Sequence, residues 1–170
     1  MTFRLLPFVS CEIHSALSPE KIQNILRENT EPKVYFRASH EHKYFEGEVS
    51  KEEFRINRII HYRNSFLPRI FGTIVPRDSG SVVKIKMKLH NFVTAFLGVW
   101  FGGIIFASIA LFRQFSLVPS DASNFNFIPF GMFVFGIAIV SGGFWFEASK
   151  QKKKLIEMLS SVSASSAHGA

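Results

Sequence analysis

The stretch His40-Glu41-His42 sets two histidines at an i, i+2 spacing that puts both imidazoles on one face of an extended chain. Imidazole pairs bind zinc, copper and nickel, but a metal centre generally recruits three or four converging donors. His14, His61 and Glu46 have the right chemistry for a third donor, yet no spacing brings them to this turn. A solvated polar turn between two strands is the simpler reading, and neither a metal nor a cofactor is expected. The single cysteine, Cys11, excludes an intramolecular disulfide and a multi-thiolate site within one chain.

Arg55 and His61 stand at a spacing that would suit joint action on a phosphate if both lay on one helix. The surrounding residues alternate with period 2, and on a strand this pair lies about 20 Å apart, too far to share one phosphate. Arg58, Arg63, Asn64 and Arg69 gather around a turn in the run Arg58-Ile-Ile-His-Tyr-Arg-Asn-Ser-Phe-Leu-Pro-Arg69. Guanidinium groups offer forked donors matched to phosphate, which makes these four the candidate ligand-binding residues. The competing reading is a strand-turn-strand corner closed by Asn64 and Ser65, with Pro68 marking an edge. Ser65 has no nucleophile elbow, Cys11 has no histidine signature beside it, and the glycines before Gly98 are isolated, so no phosphate-cradling loop is present. No catalytic residue is assigned, and the chain is read as a non-enzyme.

The elements that would carry these residues begin with a strand over Phe3–His14. The alternative for this terminus, a lipoprotein signal ending at Cys11, fails because its apolar stretch is short, contains Pro7 and runs directly into Glu12. Leu17-Ser18-Pro19-Glu20 then predicts a helix start, with Ser18 as N-cap, Pro19 at the first position and Leu17 packing on Ile22. Ile22, Ile25 and Leu26 form one apolar stripe, and Asn29 with Pro32 ends it. Further strands are predicted over 33–38, 44–49, 54–61, 69–75 and 83–90, the last from Val83, Ile85, Met87 and Leu89 alternating with Lys84, Lys86, Lys88 and His90. The fold class is therefore α+β: a small antiparallel sheet covered by one N-terminal helix, over residues 1–90.

Beyond that domain the chain changes character. Phe92–Phe112 and Phe127–Phe146 are uncharged apolar runs of 21 and 20 residues. At 1.5 Å of rise each would span roughly 30 Å, the thickness of the hydrocarbon core, so residues 91–147 are expected to form a two-span transmembrane hairpin. Gly98 with Gly102, and Ala138 with Gly142, repeat at four-residue spacing and are the candidate helix-packing positions. Past Phe146 the helix is expected to continue through Glu147 to Leu159, so that residues 148–170 comprise a short basic amphipathic helix, whose stripe of Leu155, Ile156 and Leu159 is able to fold back onto the sheet, and a disordered tail from Ser160.

The net charge of +7 is explained by placement around these spans rather than by nucleic acid. Lys84, Lys86 and Lys88 precede the first span, and Lys150, Lys152, Lys153 and Lys154 follow the second, whereas the connector between them holds one arginine and one aspartate. These seven lysines are the candidate membrane-surface residues, and the bias places both termini in the cytosol of a multi-pass protein of the cell membrane. No ionisable residue lies inside either run, which argues against proton relays, ion-coupled transport and intramembrane proteolysis. The reading that results is a membrane-anchored protein whose cytosolic domain binds a partner protein or a small anionic ligand at the bilayer surface. The alternative is a homo-oligomer whose spans assemble into a pore or channel.

Overall fold

A computed structural model of the protein describes residues 7–33, 42–117 and 127–165. In chain order the elements are β1 (Phe8–Ser15), α1 (Pro19–Glu28), β2 (Thr30–Glu31), β3 (Phe45–Val49), β4 (Glu53–Arg58), β5 (Arg69–Arg77), β6 (Gly80–Lys88), α2 (Asn91–Leu117) and α3 (Phe127–Ser165). The class is mixed α+β with three helices, two of them long and apolar enough to cross a membrane.

The sheet has six strands in the order β1-β6-β5-β4-β3-β2. It is larger than the small sheet expected, and it is not wholly antiparallel, because the two-residue β2 pairs parallel with β3. The strand expected over 33–38 falls almost wholly outside the described residues. Strand β4 ends at Arg58 instead of running to His61, while β5 and β6 form the longest hairpin, paired from Arg69↔Lys88 to Arg77↔Gly80. Its tight connection needs Gly80, whose φ of 122° is a left-handed value, and an added Cβ would meet the Ser15 carbonyl.

One face of this sheet carries Ile13, Phe45, Phe54, Ile56, Ile70, Ile74, Val83, Ile85 and Met87, all buried. Alternation alone produces that face, since each residue two along a strand points the same way. Gly72 sits in it because the Phe54 ring occupies the space a β-carbon would need. Helix α1 supplies Ile22 and Leu26 to the core; Ser18 caps it by accepting from the Lys21 amide, and Asn29 closes its other end. The cap, the proline at the start and the apolar stripe all agree with the expectation from the sequence.

At the C-terminal end the helix continues past Phe146 as expected. The second apolar run and the basic segment after it are one uninterrupted helix of 39 residues, α3, so the short C-terminal helix is part of it and not a separate element. Its later turns are part of the sheet's core: Phe144, Ala148, Leu155, Met158 and Leu159 join the same buried cluster as the sheet residues. No glycine or proline interrupts Trp145 to Leu159, so nothing terminates the helix where the apolar run stops. The helix also persists to Ser165, five residues past the point at which a disordered tail was expected. Helix α3 crosses the sheet from the β4 end, at Glu147, to the far end of β1, where the Ser15 hydroxyl donates to the Leu159 carbonyl at 3.2 Å.

Gln151 on α3 is fully buried, and both its amide nitrogen and oxygen lack a hydrogen-bond partner. Leaving buried polar atoms unpaired costs about 1–3 kcal/mol. Gln151→Met, close in length and without those atoms, is expected to raise the thermal midpoint of the detergent-solubilised protein by roughly 2–4 °C or more, at about 1 kcal/mol per such step. A lowered midpoint would show that the amide is satisfied in the membrane-bound protein.

Candidate functional site

Four of the candidate ligand residues were grouped by sequence, and the structure divides them. Arg58 follows Phe54 and Ile56 on the inward face of β4, so alternation directs it at α3 and not at solvent. There its Nη1 donates to Glu147 Oε2 at 2.8 Å, and the Glu147 side chain is fully buried. The Tyr62 hydroxyl donates to the other oxygen of the same carboxylate. Asn64 shapes the intervening loop: its Oδ1 accepts from the Phe66 amide at 2.9 Å and its carbonyl accepts from Leu67, which turns Phe66 onto Gly143 of α3. Arg63 is exposed on this loop, and Arg69 begins β5 on the opposite, outward face. The corner is thus a clasp between the sheet and α3, in which Arg58 and Asn64 have structural work.

Around the clasp, Tyr44 lies beneath two cations, with the Arg58 guanidinium 5.4 Å and the Lys154 ammonium 5.6 Å from its ring centroid. Burial pushes the Tyr44 phenol above its usual value, opposed by Arg58. The Tyr62 phenol is raised chiefly by its hydrogen bond to Glu147, which requires the proton to stay. Cys11, half-buried in β1, has its thiol raised by burial against the opposing pull of Lys152, which favours the thiol over the thiolate.

The outward face of the sheet is covered by no described helix. Residues in register across the strands share a face, which produces three rows: Phe8, Lys88, Arg69, Asn57 and Glu46; Ser10, Lys86, Phe71, Arg55 and Glu48; Glu12, Lys84, Thr73 and Glu53. Five cations on β4, β5 and β6 therefore surround Phe71, over whose ring the Lys88 ammonium sits 4.7 Å from the centroid. Glutamates border this centre at both edges. The row of Lys88 and Arg69 is the end nearest α2, which begins three residues after Lys88. Lys150, Lys152 and Lys153 are exposed on α3; Lys150 lies 3.9 Å from the Phe146 ring centroid, while Lys154 is drawn in over Tyr44. Because α3 continues along its own axis, each residue after Phe146 stands about 1.5 Å further from the apolar run along that axis, so Lys154 lies farther from the run than Lys150 does.

Within the long helices the crossing is made by Gly136, where an added Cβ would strike the Trp100 ring, and by Phe101 against Phe133 at 5.1 Å between centroids. That contact accounts for a tryptophan in mid-helix. Gly98, Gly102 and Gly142 have open space above the Cα, and Ala138 is exposed, so this chain's own hairpin does not use them. Gly98 borders an apolar cleft of about 410 Å³ with Leu97, Phe101, Ile137 and Val140.

Of the histidine motif, His40 and Glu41 lie outside the described residues. His42 instead meets His61, with Nε2 atoms 2.7 Å apart. Among the described residues no three histidine, cysteine, aspartate or glutamate side chains converge on one point. No protein-family model, curated protein or solved structure matches this chain.

The clasp had two signals in the sequence: Arg58 alone among apolar residues on its strand face, and Glu147 directly after an uncharged run. Removing one partner of a buried ion pair strands the other, at about 3–5 kcal/mol, whereas replacing both with apolar residues restores much of the loss. Arg58→Met is expected to destabilise by that amount in denaturant unfolding, and Arg58→Met combined with Glu147→Leu by far less. Because folding raises the Tyr62 pKa, its contribution is complete below the ordinary phenol value of 10.0 and is lost as pH climbs through the raised one. Tyr62→Phe is expected to flatten that alkaline decline in stability.

Proposed function

We propose that this chain is a membrane-anchored, non-enzymatic docking protein that presents the outward face of its sheet to an acidic partner protein at the cytosolic surface of the cell membrane. The observation that carries this reading is the uncovered, cation-rich centre of that face, Lys84, Lys86, Lys88, Arg55 and Arg69 around Phe71. Small ligands favour concave pockets, whereas this surface is a run of neighbouring strands, the form of a protein interface. Arginine with an aromatic neighbour supplies anchoring energy, and the surrounding charge speeds and orients encounter. A small phosphate-bearing ligand held by the same cations is the narrower version of the idea.

Anchoring follows from α2 and α3, and the cytosolic placement of both ends follows from the excess of lysine beside them. Helix α3 matters for presentation because it is shared between the apolar hairpin and the cytosolic core. The sheet is therefore held in a set orientation to the membrane, not tethered by a linker.

Self-association is a second reading, favoured by the unused small residues Gly98, Gly102 and Gly142. Such positions let a helix of another copy approach closely in lipid. A defined oligomeric mass in mild detergent that collapses to monomer on Gly98→Leu with Gly102→Leu would support it, and a monomeric wild type would end it.

For docking, a photo-crosslinking residue at Thr73 on the outward face is expected to capture a discrete partner in native membranes, and one at Ser149 on α3 is not. Charge reversal at Lys84, Lys86 and Arg69 together is expected to abolish the Thr73 product and leave membrane insertion intact. A Thr73 product unchanged by that reversal defeats the proposal.

A further inference from the structure

The β3–β4 hairpin continues beyond its assigned ends. Phe45 pairs with Arg58, and the Ile59 amide donates to the Tyr44 carbonyl at 3.1 Å. The same register sets His42 opposite His61, their Nε2 atoms 2.7 Å and their ring centroids 4.7 Å apart. Two ring nitrogens at that distance share one proton, so one donates and the other accepts. The Nδ1 of His42 lies 2.8 Å from the Lys43 carbonyl oxygen, which can only accept. That nitrogen therefore carries a hydrogen, and neutral His42 presents an unprotonated Nε2 to His61. Metal-ligating histidines are built this way, one ring N–H tied to a backbone carbonyl and the other nitrogen aimed at the ion.

We propose that His42 and His61 form a two-imidazole site for a borderline dication such as Zn²⁺, Cu²⁺ or Ni²⁺, with water completing the coordination sphere. Two nitrogens bound to tetrahedral zinc at 2.0–2.1 Å stand roughly 3.3 Å apart, so the pair needs to open by only about 0.6 Å. The ion takes the place of the shared hydrogen: His61 exchanges its Nε2 hydrogen for one on Nδ1 through solvent and binds as a neutral imidazole, so no net proton is released and no electron is transferred. Both side chains lie at the surface, so an ion and its waters have access. Imidazole donors without thiolate suit these three metals, and copper is expected to bind most tightly. The site also has a structural consequence. His61 precedes Tyr62, which holds Glu147, so a bound ion ties β3 to the loop that grips α3.

Isothermal titration of the full-length protein in detergent with Cu²⁺ or Zn²⁺ tests this directly. The expected result is one saturable equivalent per chain, weakened about tenfold or more when either imidazole is lost in His42→Ala or His61→Ala. His14→Ala and His90→Ala are expected to bind as wild type does. His61→Gln, which keeps a hydrogen-bonding side chain, is expected to retain the unliganded melting temperature and lose the metal-induced rise. Absence of saturable binding to wild type, or undiminished binding in both alanine variants, overturns the proposal.

Discussion

The carboxylate of Glu147 is the constraint on which this architecture turns. It stands immediately after an apolar run, on a helix whose next turns enter a protein core, and its side chain is fully buried. An isolated charge there would cost several kcal/mol, so the fold has to bring a cation and a further donor to it. Arg58 supplies the charge from the inward face of β4, and Tyr62 supplies a hydroxyl from the loop beyond. These contacts specify where α3 crosses the sheet, since the guanidinium reaches the carboxylate only when β4 lies under that turn. Apolar packing of Leu155 and Leu159 then favours the remainder of the helix continuing over β1.

A helix shared between an apolar hairpin and the core of a sheet domain behaves differently from two modules joined by a linker. Tilt or rotation of the hairpin cannot be absorbed in a flexible segment at this junction, because the backbone hydrogen bonds of α3 run through it without a break. The second connection is equally short, with only Leu89 and His90 between β6 and α2. Two such links, one into α2 and one along α3, restrain the sheet more strongly than either would alone. Any ligand that alters the loop from Ile59 to Pro68 acts on one of these restraints, because Tyr62 and Phe66 both rest on α3.

Much of the fold was legible in local pattern. The cap at Ser18, the stripe of Ile22 and Leu26, the alternation through Val83–Leu89 and the two apolar runs each rest on neighbours a few residues apart, which is the range over which periodicity is informative. The continuation of α3 past Phe146 was legible because nothing from Glu147 to Leu159 breaks a helix; its persistence to Ser165 was not, because the Ser/Ala-rich composition after Leu159 resembles a disordered tail. The dissolution of the arginine corner was missed for a different reason. Arg58, Arg63 and Arg69 are close in sequence, but strand alternation and an intervening loop send them to three surfaces. Likewise the i, i+2 histidine pair drew attention to His40 and His42, whereas the contact made by His42 is a cross-strand one whose register only the hairpin reveals.

The outward face of the sheet is set by the same alternation that builds the core. Every inward residue that β5 and β6 commit to the core leaves an outward neighbour in register with its counterparts, so Lys88 must stand by Arg69 and Lys86 by Phe71 once the core register is set. Like charges placed side by side repel, and a fold indifferent to that face would gain by interspersing them. Glutamates are available on the same face but lie at its margins, on β1, β3 and the far end of β4. A repulsive centre kept beside an aromatic ring, on a sheet held at a set angle to its anchor, is stabilised by whatever anionic surface comes to cover it.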